Sequence, residues 1–317
     1  MVYYSSGSIT KLFKLFYFCF IQRDSTFYIN GLFIPRLSLI PSLLAKKLII
    51  SPRGMLITET FGKNSLLKRV YLSVFKFVVR GKAIFHATDA REVDDIKRYF
   101  GKSSIIYLIP NIPLRPLTIK KEFFKKVGSI RLVYFGLIAQ KKGLLELLTF
   151  LQISSIDISL DIFGAIKDDS YWIKCQSIIN VLPKSISVFY KGHADPSTSQ
   201  SILSGYDFFI LLTKGENFGH AIYESLSVGT PVIISNKTPW LIKSADFPAG
   251  WLINNDASLD VDSLKDLFVS LCKMNNEDYQ ICSSAAHQYA VDFYYRHDFK
   301  KEYTALFDHF SNSNKFS

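Results

Sequence analysis

Between Leu211 and Trp240 the chain reads LLTKGENFGHAIYESLSVGTPVIISNKTPW, and two carboxylates, Glu216 and Glu224, stand in it with seven residues between them. The apolar run DFFILLT predicts a buried strand ending at Thr213, Glu216-Asn217-Phe218-Gly219 a short loop, and the pattern beyond Gly219 a helix to about Val228. At the carboxyl end of a parallel strand, the next helix presents free N–H groups and the positive end of its dipole, a setting for an anion. Two carboxylates there would repel a phosphate. They suit neutral polyols instead, since a carboxylate accepts two hydroxyl hydrogen bonds at once. A molecule with sugar hydroxyls, a diphosphate and a ribose diol offers both patterns. Taken singly, Glu216 also reads as a helix cap and Glu224 as a solvated helix residue.

A second turn of this kind follows the strand predicted over Leu132 to Gly136, where LIAQKKG leads into a helix from Gly143. A helix N-terminus and the Lys142 ammonium would converge there on a diphosphate. A fixed cation lowers the barrier as negative charge grows on a leaving phosphate. The competing reading makes Lys141 and Lys142 ordinary surface lysines. His220, just inside the first helix, is placed to face a ligand. His86, in IFHATDARE, reads as a hydrogen-bonded core histidine beside a helix N-cap at Thr88. His193, His287, His297 and His309 show no ligand spacing, so neither a metal nor a cofactor is expected. Cys19, Cys175, Cys272 and Cys282 form no CxxC pair, which fits a reducing cytosol.

The elements that must position these groups alternate along the chain, short β-branched and aromatic runs with longer helical patterns, as in an α/β protein built on parallel sheets. Strands are predicted near Phe27–Asn30, Lys47–Ser51, Ala83–His86 and Ile105–Ile109, with helices at about 6–20, 65–80 and 90–100. Pro110 to Gly128, with three prolines and no period, reads as a linker. A second series follows, with strands at Arg131–Gly136, Ile158–Gly164, Ser187–Gly192, Asp207–Thr213, Pro231–Ser235 and Gly250–Ile253, and two helices split around Arg296 and His297 at the end. Domains are expected over 1–117 and 118–295, with 296–317 as a final helix. The 317 residues carry a net charge of +11, concentrated in residues 1–120, where 19 bases meet 6 acids. No apolar run reaches the ~20 residues of a membrane span.

The stretch Thr213 to Trp240 resembles the donor-binding signature of family 4 of the retaining glycosyltransferases, in the ENFGH form of members that build bacterial surface polysaccharides. Ser51-Pro52-Arg53-Gly54-Met55-Leu56, His86-Ala87-Thr88, Ile109-Pro110-Asn111, Tyr134-Phe135-Gly136, Lys141-Lys142-Gly143 and GTPVIIS extend the resemblance over most of the chain. It implies a GT-B fold, two facing Rossmann-like domains, of which the first here looks short of its opening strand and glycine loop. It also implies that the last helix crosses back to brace the first domain. Glu216 would contact the transferred sugar, with the amides of Phe218 and Gly219 close to it, and Glu224 would bind the ribose hydroxyls. Gly136, Lys142, Thr213, Asn217 and His220 complete the implied donor site, and Glu216, Lys142 and Arg53 the catalytic set. Arg53 stands where many members present a histidine to the sugar, and equally reads as a turn residue. Leu137 departs from the family, which has an arginine five residues before the lysine.

The resemblance therefore implies a retaining transferase that moves a sugar from a nucleotide-sugar donor to a glycan or lipid-linked acceptor. It would act in the cytoplasm or on the inner face of the membrane. The alternative keeps the fold and binds donor or a partner without turnover. KLFKLFYFCF and LLKRVYLSVFKFVVR place bases beside apolar stripes, either as core faces or as surfaces for anionic lipid. Nucleic acid is not expected as a partner, since the charge is confined to one part and no RNA-binding signature occurs. A dinucleotide oxidoreductase would need a GxGxxG after a strand, and none is present.

Overall fold

The computed structural model describes residues 9–56, 65–117, 124–242, 248–256 and 258–312. The chain divides into two compact units, Met1–Ile112 with Asp298–Ser317, and Pro113–His297. The first unit holds 20 Lys and Arg against 9 Asp and Glu, and the second 18 of each, so the whole net charge of +11 belongs to the first.

In the first unit, α1 (Ile9–Ile21) leads to β1 (Thr26–Asn30), α2 (Pro35–Leu44), β2 (Lys47–Ser51), α3 (Ser65–Val79), β3 (Ala83–Ala87), α4 (Ala90–Phe100) and β4 (Ile106–Leu108). The four strands are parallel and lie side by side in chain order. Each crossover advances in the same direction, so the right-handed rule sets α2, α3 and α4 on one face of the sheet. Leu48, Ile50 and Phe85 point to that face and bury with Leu72 and Phe75 of α3 and Ile96 of α4.

Sequence alone predicts no helix between β1 and β2, because Pro35 and Pro41 interrupt the run. Pro35 sits in the first turn of α2, where its missing N–H is no loss. Pro41 lies inside the helix, tolerated because the buried face is tied down. Ser38 Oγ donates to the Leu32 carbonyl at 2.7 Å, as does the Tyr71 hydroxyl of α3 at 2.9 Å. The cap of α4 also differs from expectation. It is Asp89, whose carboxylate accepts from the Glu92 amide at 2.9 Å, while Thr88 donates its N–H and hydroxyl back to Glu92.

The second unit runs β5 (Ser129–Phe135), α5 (Leu144–Gln152), β6 (Asp157–Phe163), α6 (Asp169–Ile179), β7 (Ile186–Gly192), α7 (Ser199–Leu203), β8 (Phe208–Leu211), α8 (His220–Ser227), β9 (Val232–Ser235), β10 (Gly250–Ile253), α9 (Val261–Lys273) and α10 (Asn276–Arg296). All six strands are parallel, in the order β10-β9-β8-β5-β6-β7. β8 and β9 are buried along their whole length, as near-continuous apolar strands covered on both faces must be. Asp207, buried just before β8, fastens it to β5 by accepting from the Arg131 amide and guanidinium, both at 2.8 Å.

The divisions at 112 and 297 differ from the expected 117 and 295 for local reasons. The Arg115 carbonyl accepts from Gln200 of the second unit at 3.4 Å, and the His297 ring packs at a tilt on Phe293 of α10, centroids 5.3 Å apart. Residues 118–123 of the expected linker lie outside the described residues. Beyond His297 the chain forms α11 (Phe299–Asn312), which belongs to the first unit. Its Leu306 buries with Ile49, Ile84 and Ile109 on the sheet face opposite α2–α4.

Candidate active site

Strand order in the second unit reverses at β5. The chain passes outward through β6 and β7, then returns to the other side of β5 with β8. Loops leaving the carboxyl ends of β5 and β8 diverge to opposite faces of such a sheet and open a crevice between them. The expected residues Gly136 and Lys142 follow β5, and Thr213 and Glu216 follow β8, so topology brings both groups to one place.

After β8, the predicted strand through Thr213 stops at Leu211. Thr213 turns away because its hydroxyl donates to the Lys141 carbonyl at 3.0 Å, and the Lys214 amide donates to the same oxygen at 2.8 Å. Ser235 of β9 donates to the Thr213 carbonyl at 2.5 Å, and the Glu216 amide to the Lys237 carbonyl at 3.0 Å. The Phe218 side chain is buried among His220, Tyr223, Trp240 and Phe293, and the Trp240 indole donates to its carbonyl. Only the backbone of Phe218 is therefore left for a ligand. Gly219 caps α8 with a φ of 77°. Glu224 lies one turn beyond the exposed His220, on the same side of α8, and is itself half-buried.

After β5, Gly136 gives its N–H to Phe163 of β6 at 2.9 Å, so it offers a ligand space rather than a donor. A tight turn over Gln140–Lys142 precedes Gly143, which starts α5 at a φ of 74°. A β-carbon on Gly143 would sit 2.0 Å from the Leu212 carbonyl oxygen, so only glycine lets the two loops approach this closely. That approach places the Lys142 ammonium in an ion pair with Glu216 Oε2, the two side chains 21% and 15% exposed. Lys214 pairs with Glu146 at 2.5 Å, and Lys237 with Asp256 at 2.5 Å, so further cations border the crevice. Leu137 is 47% exposed and contributes no charge.

Arg53 lies in the first unit, beyond the carboxyl end of β2, with a φ of 55°. A positive φ in a non-glycine residue is strained and persists only where its surroundings hold it. Arg53 Nε donates to Asn30 at 2.8 Å, one terminal nitrogen to Asn111, and the other to the Tyr28 hydroxyl at 3.0 Å. The next amide, that of Gly54, donates to the buried carboxylate of Glu92 at 2.6 Å. Burial pushes the Glu92 carboxyl upward, and the bonds from Gly54 and Thr88 oppose this. Asn30 and Asn111 escape prediction as a pair. Asn30 closes β1 and Asn111 lies three residues past β4, and neither position signals that both meet Arg53.

His86 is fully buried. Its Nε2 lies 2.8 Å from the Ile109 carbonyl, which can only accept, so Nε2 carries the proton and Nδ1 accepts from Tyr28 at 2.7 Å. A chain of hydrogen bonds thus runs from Arg53 through Tyr28 to His86. Burial, aided by the Arg53 charge and opposed by the Ile109 bond, brings His86 down to about 4. Unfolded chains take up this proton below about pH 6.5 and the folded protein only near the lower value, so folding stability falls as pH drops through that window. His86 is expected to account for about 3 kcal/mol of the loss. Denaturant titrations from pH 7 to pH 4 on wild type and His86→Gln check this, and parallel curves would refute it.

Residues 117–289 match the family described as glycosyl transferases group 1, more than half of the 317-residue chain. The chain belongs to that family. No curated protein matches this group 1 glycosyl transferase. Among solved structures it is similar to HepE of Anabaena in complex with UDP and glucose, at 16% identity and a TM-score of 0.73, over 96% of this chain and 83% of that one. Sucrose-phosphate synthase of Thermosynechococcus elongatus is similar at 13% identity and a TM-score of 0.73, over 99% and 82%. WaaG, a glycosyltransferase involved in lipopolysaccharide biosynthesis, is similar at 13% identity and a TM-score of 0.63, over 96% of each chain. The α/β fold, parallel sheets in two domains, is that of the GT-B glycosyltransferases. Among the described residues, no helix of the group 1 transferase is long and apolar enough to cross a membrane.

Proposed function

We propose that this group 1 glycosyl transferase transfers a sugar, with retention, from a nucleotide-sugar donor to a glycan or lipid-linked acceptor in surface-polysaccharide assembly. One observation carries the proposal: the loops of the strand-order reversal bring Lys142 and Glu216 together across 74 residues of sequence. A cation and a carboxylate side by side match a donor whose diphosphate adjoins sugar hydroxyls. HepE, solved with UDP and glucose, supports the donor class, and WaaG supports the polysaccharide setting.

In this mechanism Glu216 accepts hydrogen bonds from the transferred sugar, beside the amides of Phe218 and Gly219. Glu224 accepts from the ribose diol. Gly136, Thr213, Asn217 and His220 shape the donor pocket. Lys142 leaves its pairing to bind the diphosphate and offsets the charge that grows there. The acceptor oxygen bonds to the anomeric carbon on the face the diphosphate leaves, and its proton passes to the departing phosphate oxygen. The cation at the diphosphate is Lys142 rather than a metal, and no cofactor takes part. Arg53 supplies a fixed charge at the carboxyl end of the first unit's sheet, on the acceptor side. The cysteines are free thiols, which supports a cytoplasmic reaction.

Calorimetric titration with UDP and other nucleoside diphosphates, followed by donor turnover, tests this. Glu224→Ala is expected to weaken nucleotide binding and raise the donor KM by about 10- to 100-fold, the loss of charged hydrogen bonds, with kcat little changed. An unchanged affinity would overturn its role. Leu137 favours a second reading, binding without turnover, since the diphosphate lacks a bidentate partner there. Nucleotide binding with no turnover across a donor panel would establish that reading instead.

A further inference from the structure

We propose that the outer faces of α1, α2 and α3 dock the protein on an anionic lipid bilayer, which goes beyond the transfer reaction and does not depend on it. α1 is apolar on two sides, and the fold uses only one. Leu15, Phe18 and Cys19 face the protein, Cys19 with no exposure at all. Phe13, Phe16, Tyr17 and Phe20, spaced as one helical stripe, face solvent at 50% to 71% exposure. α3 repeats the arrangement. Leu72, Phe75 and Val79 are buried, while Leu66, Val70, Val74 and Phe77 form a second stripe at 50% to 80% exposure. Arg69, Lys76 and Arg80 run beside that stripe, all exposed. α2 packs on both neighbours and adds Leu37 and Leu43 to the outer surface.

Charge identifies the occupant. None of the 38 residues in these three helices is Asp or Glu, and the unit that carries them holds the whole net charge of +11. At the end of α3 a cleft of about 740 Å³ is lined by Lys76, Arg80 and Lys82 together with Phe77, Phe100 and Phe310, bases and rings in one wall, as a phosphate head on an apolar tail requires. Apolar side chains inserted between bases on one face suit an interface where acyl chains lie under phosphates. A second copy of this chain would set bases against bases. A nucleic acid would leave the aromatic stripes in water.

Sedimentation of the intact chain with vesicles of phosphatidylglycerol and phosphatidylcholine, against phosphatidylcholine alone, tests the proposal. Binding to the anionic vesicles is expected to be at least tenfold tighter, to fall steeply from about 50 to 300 mM salt, and to resist competition by free glycerol phosphate. Phe16→Ser with Phe77→Ser should weaken it at least tenfold without shifting the thermal midpoint, because both rings are already exposed. Arg69→Glu, Lys76→Glu and Arg80→Glu together should weaken it by about 100-fold, and nucleotide affinity should stay at the wild-type value. Absence of vesicle binding, equal binding to neutral vesicles, or binding unchanged in both variants would overturn the proposal. So would a dimer that the double serine variant converts to monomer, or an oligonucleotide complex lost in the triple variant.

Discussion

Glu216→Ala is expected to lower kcat/KM for transfer by about a thousandfold while the protein still folds. Folding survives because the loop is held by its backbone and its neighbours, not by this carboxylate. The Glu216 amide is bonded to Lys237, the Thr213 carbonyl to Ser235 and the Phe218 carbonyl to Trp240. Activity falls because the same carboxylate orients the sugar and keeps Lys142 aimed into the crevice before donor arrives. Removing it leaves a half-buried ammonium without its counter-charge, a further cost of about 1–3 kcal/mol in stability. Glu216→Gln keeps the shape and loses the charge, so it should fall between. Steady-state kinetics with a thermal melt of each variant decide the matter, and a kcat/KM within threefold of wild type would show the residue to be a bystander.

Gly143→Ala should be among the most damaging single methyl groups in the second unit. The residue has a φ of 74°, and the added carbon would lie 2.0 Å from the Leu212 carbonyl oxygen, an atom of the backbone that no rotamer change can move aside. Either the end of β8 or the Lys142 turn must shift, at about 3 kcal/mol. That corresponds to a fall in Tm of about 6–12 °C for a unit of this size. Lys142 would be displaced from Glu216, so turnover should drop with stability. Gly128→Ala is the control. Its φ is also positive, at 92°, but nothing lies within 4 Å of the added carbon, so only the conformational cost remains, about 1 kcal/mol. Equal melting temperatures for the two variants would refute the steric account.

Residue types and spacing disclosed each half of the site separately, and it was the family resemblance that put both in one donor site. Glu216 and Lys142 are legible as residues past apolar strands, before helices. Their direct pairing does not follow from spacing, because it depends on β8 pairing with β5 rather than with β7, a choice made by the whole sheet. The α/β alternation is written in strand composition and survives in every strand from β1 to β10. α2 is not written there, since its helicity comes from Ser38 and Tyr71 clamping it to Leu32 against two prolines. The cap at Asp89 rather than Thr88 shows the same limit at the scale of one residue. Both side chains can cap, and the buried Glu92 decides which does. In α1 and α3 two apolar stripes are visible, but only the fold selects the one that faces inward.

Because α11 belongs to the first unit, that unit is made from both ends of the chain, with the 185 residues from Pro113 to His297 between them. At translation rates of roughly 5–20 residues per second, its N-terminal part waits about 10–40 s before Leu306 leaves the ribosome. During that interval Ile49, Ile84 and Ile109 have no cover, whereas the second unit is contiguous and can fold as it emerges. The nascent protein thus carries an open sheet face for most of its synthesis, and it is there, rather than at the donor site, that chaperone protection is most needed.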